Sequence, residues 1–212
     1  MGYAVMAFDG ADPAKRAAAR DRHLAVITAW AAEGRLALGV PLFDAGFKPV
    51  GSLMILSVPD RAGLDAYLAE EPFATEGVWE RIQVMPFRIA ALPYQPLPLG
   101  PASPTRTHTI TIAHDAQDSG AAARREAARP PHIERVKGWA KDGTLVLGGA
   151  ILDQSEAAMI GSIAITAHAS DADAEAAWAE DPYVTGGVWR QVTRWGTRFA
   201  PLPYRPLPGT AA

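Results

Sequence analysis

Glu71-Pro72-Phe73-Ala74-Thr75-Glu76-Gly77-Val78-Trp79 returns 110 positions later as Asp181-Pro182-Tyr183-Val184-Thr185-Gly186-Gly187-Val188-Trp189. Working outward from that pair, the two parts of the chain stay in step. Gly51-Ser52 matches Gly161-Ser162, and Leu92-Pro93-Tyr94-Gln95-Pro96-Leu97-Pro98 matches Leu202-Pro203-Tyr204-Arg205-Pro206-Leu207-Pro208. Upstream of one inserted residue the offset becomes 109: Arg20, His23, Trp30, Gly34, Leu36, Leu38 and Gly39 recur as Arg129, His132, Trp139, Gly143, Leu145, Leu147 and Gly148. Collinear matches over about a hundred residues mean duplication. The chain therefore divides into copies at 1–98 and 106–212, joined by a Pro/Gly/Ser linker at 99–105 that proline keeps extended and semi-rigid. The Leu-Pro-Tyr-x-Pro-Leu-Pro segment closes both copies, so it reads as an arm whose Tyr and Leu pack against a neighbour.

Each copy reads β-α-β-β-α-β, an α+β pattern giving two tandem ferredoxin-like units. In the first, a strand at 3–8 leads to Asp12-Pro13, an N-cap followed by proline at the first helical position. That helix runs to Glu33 and stops at Gly34. Strands follow at 35–42 and 50–58, then a helix opened by Pro59-Asp60 and a last strand at 79–89. The second copy places strands at 108–114, 144–152, 160–166 and 189–199. There Pro130-Pro131 directly precedes His132, which predicts a helix starting at the prolines with the histidine in its first turn.

Composition narrows the function. Hydrophobic residues are 49% and charged residues 20%, an ordinary globular balance, and a formal charge of -3 offers no general attraction to nucleic acid. No basic run, apolar span or leader pattern is present, so neither nucleic acid nor membrane is an expected partner and a cytoplasmic location is expected. There is no cysteine and no asparagine, which removes thiolate chemistry, disulfides and N-glycosylation. One histidine and one acid per copy is too few ligands for a metal, and no cofactor is expected.

The chemistry, if any, gathers on the repeated polar residues. His23, Ile27 and Trp30 share one face of the first helix, as do His132, Val136 and Trp139. In the helix's first turn the dipole disfavours imidazolium, which suits His132 to act as a base. Glu71 and Asp181 each precede proline, so each acid ends a helix and projects from a turn. A carboxylate beside the imidazole can accept its Nδ1 proton and support the cation formed during proton abstraction. His23, Glu71, His132 and Asp181 are thus the candidate catalytic residues. Ser52 and Ser162 can supply a hydroxyl to substrate or acid, and Arg20 and Arg129 can hold a substrate carboxylate or phenolate. Blander readings stand beside these: a lone histidine on an apolar stripe is most often a core residue, acid-Pro-aromatic a helix stop, and the arginines partners of the acids.

Taken together, Arg-x-x-His, the Trp and Gly closing the helix, Gly-Ser on a middle strand and Asp181-Pro182-Tyr183 with Gly187-Val188 resemble the YCII family. The resemblance implies the dimeric α+β barrel arrangement, similar to muconolactone isomerases, with the two copies pairing inside one chain and a further homodimer left open. It implies a His/Asp active site, which His132 and Asp181 match. Glu71 departs from it, and its longer side chain puts the first site in doubt. One branch of the family resembles dehydrochlorinases of aromatic degradation. The expected function is a lyase or isomerase moving protons on a cyclic or phenolic small molecule. The alternatives are a ligand-binding protein without turnover and a structural module held together by its arms.

Overall fold

A computed structural model describes residues 2–98 and 100–210; Met1, Leu99 of the linker, and Ala211 and Ala212 of the C-terminal arm lie outside the described residues. The first half contains β1 (Gly2–Asp9), α1 (Pro13–Ala32), β2 (Leu36–Phe43), β3 (Pro49–Leu56), α2 (Arg61–Glu70), α3 (Pro72–Thr75) and β4 (Trp79–Ile89). The second contains β5 (His108–Asp115), α4 (Ala121–Asp142), β6 (Leu145–Leu152), β7 (Met159–Thr166), α5 (Asp171–Trp178), α6 (Pro182–Thr185) and β8 (Trp189–Thr197). The helix signals act as read. Asp12 accepts from the Ala14 N–H with Pro13 at the first position, Asp60 accepts from Gly63, and Gly34 ends the α1 region at φ +79°.

The expected start of the second long helix is corrected. α4 begins at Ala121 and carries Pro130 and Pro131 inside it, so His132 is an interior residue and the first-turn dipole argument does not apply to it. An interior proline costs roughly 3 kcal/mol and leaves a carbonyl of the preceding turn without its N–H. Here both prolines, together with Glu126 and Ala127 one turn earlier, lie on the exposed face, where water can reach those carbonyls. The helix is held on both sides of the break, by Arg125 bound to Asp115 upstream and by buried His132 and Val136 downstream.

All strand pairings are antiparallel, and the eight strands close in the order β1-β3-β2-β8-β5-β7-β6-β4. Each half supplies four strands, and the ring closes at two seams. At one seam β4 pairs with β6 through Phe87↔Ile151, Arg88↔Ala150 and Ile89↔Gly149. The other, β2 with β8, is reduced to Phe43↔Gly196. Sequence explains the difference. Pro41 occupies the position that Ala150 fills in the second half, and it has no N–H to give across the seam. Its carbonyl is taken instead by the Thr197 hydroxyl at 2.7 Å. Gly149, which corresponds to Val40, lets β4 come close; a Cβ there would lie 2.4 Å from the Phe87 ring.

Alternation along the strands divides the core into layers. Ala4, Met6, Leu53 and Ile55 join Ile110, Ile112, Ile163 and Ile165 in one cluster that runs across both halves. Their strand neighbours Tyr3, Val5, Met54 and Leu56 pack instead with Ile27 and Trp30 of α1 and Leu64 and Tyr67 of α2.

The arms do pack against a neighbour, and that neighbour is the opposite half. The Tyr94 hydroxyl donates to the Gly148 carbonyl at 2.9 Å and accepts from its N–H at 3.1 Å. Tyr204 treats Gly39 in the same way, at 2.8 and 3.0 Å. Gln95 donates to the Lys141 carbonyl and Arg205 to the Ala32 carbonyl, so each arm also satisfies an end of the other half's long helix.

Candidate functional site

His23 projects from α1 and Glu71 from the junction of α2 and α3; His132 projects from α4 and Asp181 from the junction of α5 and α6. His23 Nδ1 lies 2.7 Å from Glu71 Oε1, and His132 Nδ1 lies 2.8 Å from Asp181 Oδ1. Each acid lies outside the helices on either side of it, and Glu71 ends α2 as its C-cap. Each folds back to accept the N–H two residues on, from Phe73 or Tyr183 at 2.9 Å, and so caps the short helix that follows. Both carboxylates are fully buried, while His23 and His132 keep 7% and 8% of their surface exposed. Trp139 does not seal His132; it is half-buried and packs on Trp178 and His168.

Glu71 differs from Asp181 by one methylene. Its longer side chain reaches the histidine at the same distance as Asp181 does. The local backbone differs: α2 runs to Glu70, next to the acid, whereas α5 ends at Trp178. The second carboxylate oxygen is then held differently. Tyr67 donates to Glu71 Oε2 at 3.0 Å, while Asp181 Oδ2 stays with the imidazole, 3.0 Å from His132 Nδ1, with Arg135 Nε farther off at 3.9 Å. Burial, and then the neighbouring Glu71 charge, push the Tyr67 phenol well above its usual range.

Each imidazole stacks on the aromatic that follows the acid-Pro pair, His23 on Phe73 at 3.9 Å and His132 on Tyr183 at 3.8 Å. An arginine that the sequence reading passed over lies 4.7 Å above each of those rings, Arg16 on Phe73 and Arg125 on Tyr183. Arg16 holds Asp9 through both carboxylate oxygens, and Arg125 holds Asp115 in the same way. Burial raises the Asp115 carboxyl, against the lowering effect of Arg125. The two serines point to these arginines and not to the acids: Arg16 donates to Ser52 and Arg125 to Ser162, each at 3.2 Å. The signal was available, because Arg16 and Arg125 recur at the same offset of 109 and an acid closes the first strand of each copy.

Arg20 and Arg129 do not pair with the dyad acids. Both are exposed and line the cavity of their own half, where Arg20 also comes within 4.0 Å of Asp21. The first-half cavity, about 190 Å³, includes His23, Ser52 and Phe73; the second-half cavity, about 100 Å³, includes His132, Ser162 and Tyr183. Each lies between its long helix and sheet, and the other half supplies part of its wall. Arg198, Phe199 and Ala200 close the first; Arg88, Ala90 and Leu92 close the second. Among the described residues no partner is found for Trp178 Nε1, Trp189 Nε1 or Arg125 Nε, which belong to residues lining the second cavity. No group of three or more His, Cys, Asp or Glu side chains gathers among the described residues, and no helix there is long and apolar enough to cross a membrane.

Two four-stranded halves with helices outside one closed antiparallel ring define a dimeric α+β barrel made within a single chain. Chlorite dismutase from Candidatus Nitrospira defluvii in complex with imidazole matches it over 93% of this chain and 91% of its own, with a TM-score of 0.54 at 13% identity. A heme-binding protein from Thermus thermophilus matches over 92% and 90%, with a TM-score of 0.52 at 10% identity. A 5-chloro-2-hydroxyhydroquinone dehydrochlorinase from Burkholderia phenoliruptrix is 18% identical over 42% of this chain and 96% of its own, with a TM-score of 0.39. No curated protein matches in sequence. Residues 1–88 and 108–196 each match the YCII-related domain, and the chain belongs to that family.

Proposed function

We propose that the chain is a lyase or isomerase that moves a proton on a small cyclic or phenolic substrate, with His23/Glu71 and His132/Asp181 as its two dyads. The observation that carries this is the bond from each Nδ1 to a buried carboxylate, on a histidine that lines a cavity. An ionised carboxylate only accepts, so it fixes the proton on Nδ1 and leaves the Nε2 lone pair as the base. Nε2 takes a proton from a ring carbon or hydroxyl, and the electron pair of that bond passes into the ring. The carboxylate supports the resulting imidazolium. Return of the proton to another carbon completes an isomerisation; departure of a ring substituent completes an elimination.

Size supports the substrate class. A cavity of roughly 150 Å³ accepts benzene, so the first site, at about 190 Å³, encloses a single ring, while the second, at about 100 Å³, encloses one only in part and leaves the rest between the exposed Arg88 and Arg129.

The test is deuterium exchange from D2O into the ring C–H positions of an unsaturated γ-lactone and a panel of phenols, followed by proton NMR. Replacing His23 and His132 together by Asn should slow exchange by about 10²–10⁴-fold, the range for loss of a general base. Equal exchange in the double variant, or none by the unaltered chain, would sink the dyad. A second reading, ligand binding without turnover, is favoured by one observation: both acids are fully sealed behind their histidines, as in a structural pair.

A further inference from the structure

The two cavities carry a charge pattern that proton transfer alone does not require. Three arginines line each of them and no carboxylate does: Arg16, Arg20 and Arg198 in the first, Arg125, Arg129 and Arg88 in the second. Arg16 and Arg125 are neutralised by Asp9 and Asp115. Arg88, Arg129 and Arg198 have no acidic partner among the described residues, and Arg20 has only the exposed Asp21 at 4.0 Å. Each cavity thus faces two guanidinium groups with no buried carboxylate beside them, one from its own helix and one from the opposite half, although Arg198 also donates to the Ser103 carbonyl and lies 5.4 Å from the Phe43 and Phe47 rings. This occurs twice, at equivalent positions, in a chain whose net charge is -3. Arg20, Arg88 and Arg129 are exposed, so water screens their mutual repulsion, but an anion entering between two such groups is attracted by both. The remaining unpartnered groups at the second cavity, two indole N–H and one guanidinium N–H, are donors only.

We propose that each cavity binds a single-ring carboxylate whose anionic group is gripped by the arginine of the opposite half, Arg198 at the first site and Arg88 at the second. The inference rests on the cavities being the small-molecule sites described above, and it assigns their ligand class. Bidentate pairing of guanidinium and carboxylate gives such a grip its geometry. Because Arg88 stands on β4 and Arg198 follows β8, neither half builds a complete site by itself.

Calorimetry on the full chain at low salt, with benzoate and its neutral analogue benzamide as probes, tests this. Benzoate is expected to bind at least about tenfold more tightly than benzamide, since a charge-assisted contact of modest strength corresponds to that factor. Arg88→Ala should weaken one benzoate site by at least about tenfold and Arg198→Ala the other, with benzamide unaffected. Arg88→Gln and Arg198→Gln, which retain a long polar side chain without the charge, should do the same if alanine disturbs folding. Equal affinity for the two probes, unchanged benzoate binding in the double arginine variant, or no binding of either probe by the folded chain would overturn the proposal. If proton exchange fails while arginine-dependent benzoate binding persists, the dyad chemistry falls and the ligand class stands.

Discussion

At the scale of single residues, the dyads were legible because each partner carries its own local signal. His23 and His132 lie on an apolar helical stripe, and Glu71 and Asp181 precede proline, so both had to face inward near one another. Arg16 and Arg125 were missed because a guanidinium early in a helix reads as a solvated charge. What buries Arg125 is Asp115, at the end of another element, and no local pattern announces that contact. His108 is a further residue whose state depends on such packing. It meets the Phe199 ring at 4.7 Å, and burial, with a smaller contribution from His168, lowers its pKa to about 4. Its unfolded value is near 6.5, so between pH 6.5 and 4 the unfolded chain binds the proton first. Stability present above pH 6.5 should therefore be lost as pH falls towards 4, by about 1–2 kcal/mol once partial exposure is discounted. Urea unfolding of the chain and of His108→Gln across that window checks this: the chain should lose that much stability relative to the variant as pH falls, and a difference that stays constant with pH would show that His108 is not responsible.

At the scale of elements, caps and stops determined most boundaries, and Asp12-Pro13, Asp60 and Gly34 all do what their chemistry suggests. α4 is the exception. Local rules end or begin a helix at Pro130-Pro131, but anchoring upstream at Arg125 and downstream at His132 carries the helix through. Such anchoring opposes the local cost without removing it. Replacing both prolines by alanine should accordingly raise stability by about 1–3 kcal/mol, less than the sum of two interior-proline penalties because the backbone there has already adjusted. Chemical denaturation measures it; a variant less stable than the parent would mean that the prolines shape the helix to fit the sheet. The one-turn helices α3 and α6 were not legible either, since four residues give no periodicity to read.

At the scale of the whole molecule, the duplication foretold a pair of halves, but not how unevenly they join. The β4–β6 seam has three paired positions and the β2–β8 seam one, for want of an N–H at Pro41. Backbone amides along the first seam should exchange with deuterium more slowly than those along the second, because protection follows the local cost of opening. Equal protection at Arg88, Ala90 and Ala150, whose N–H groups face across the first seam, against Phe43 and Gly196 would contradict that account. The arms were visible as repeated segments, while their exchange between halves was not, since a sequence match cannot say which copy a tyrosine will grip.

Pro41 and its twin Ala150 carry one more consequence. In an assembly of two identical chains every substitution is made twice, so a residue that loosens one junction must loosen its mirror image as well. Covalent fusion lifts that constraint. Here one junction has a hydrogen-bond donor where the other has none, and Glu71 differs from Asp181 in the same way. Symmetry imposed by assembly has become symmetry merely inherited, and each half is free to drift towards a task of its own.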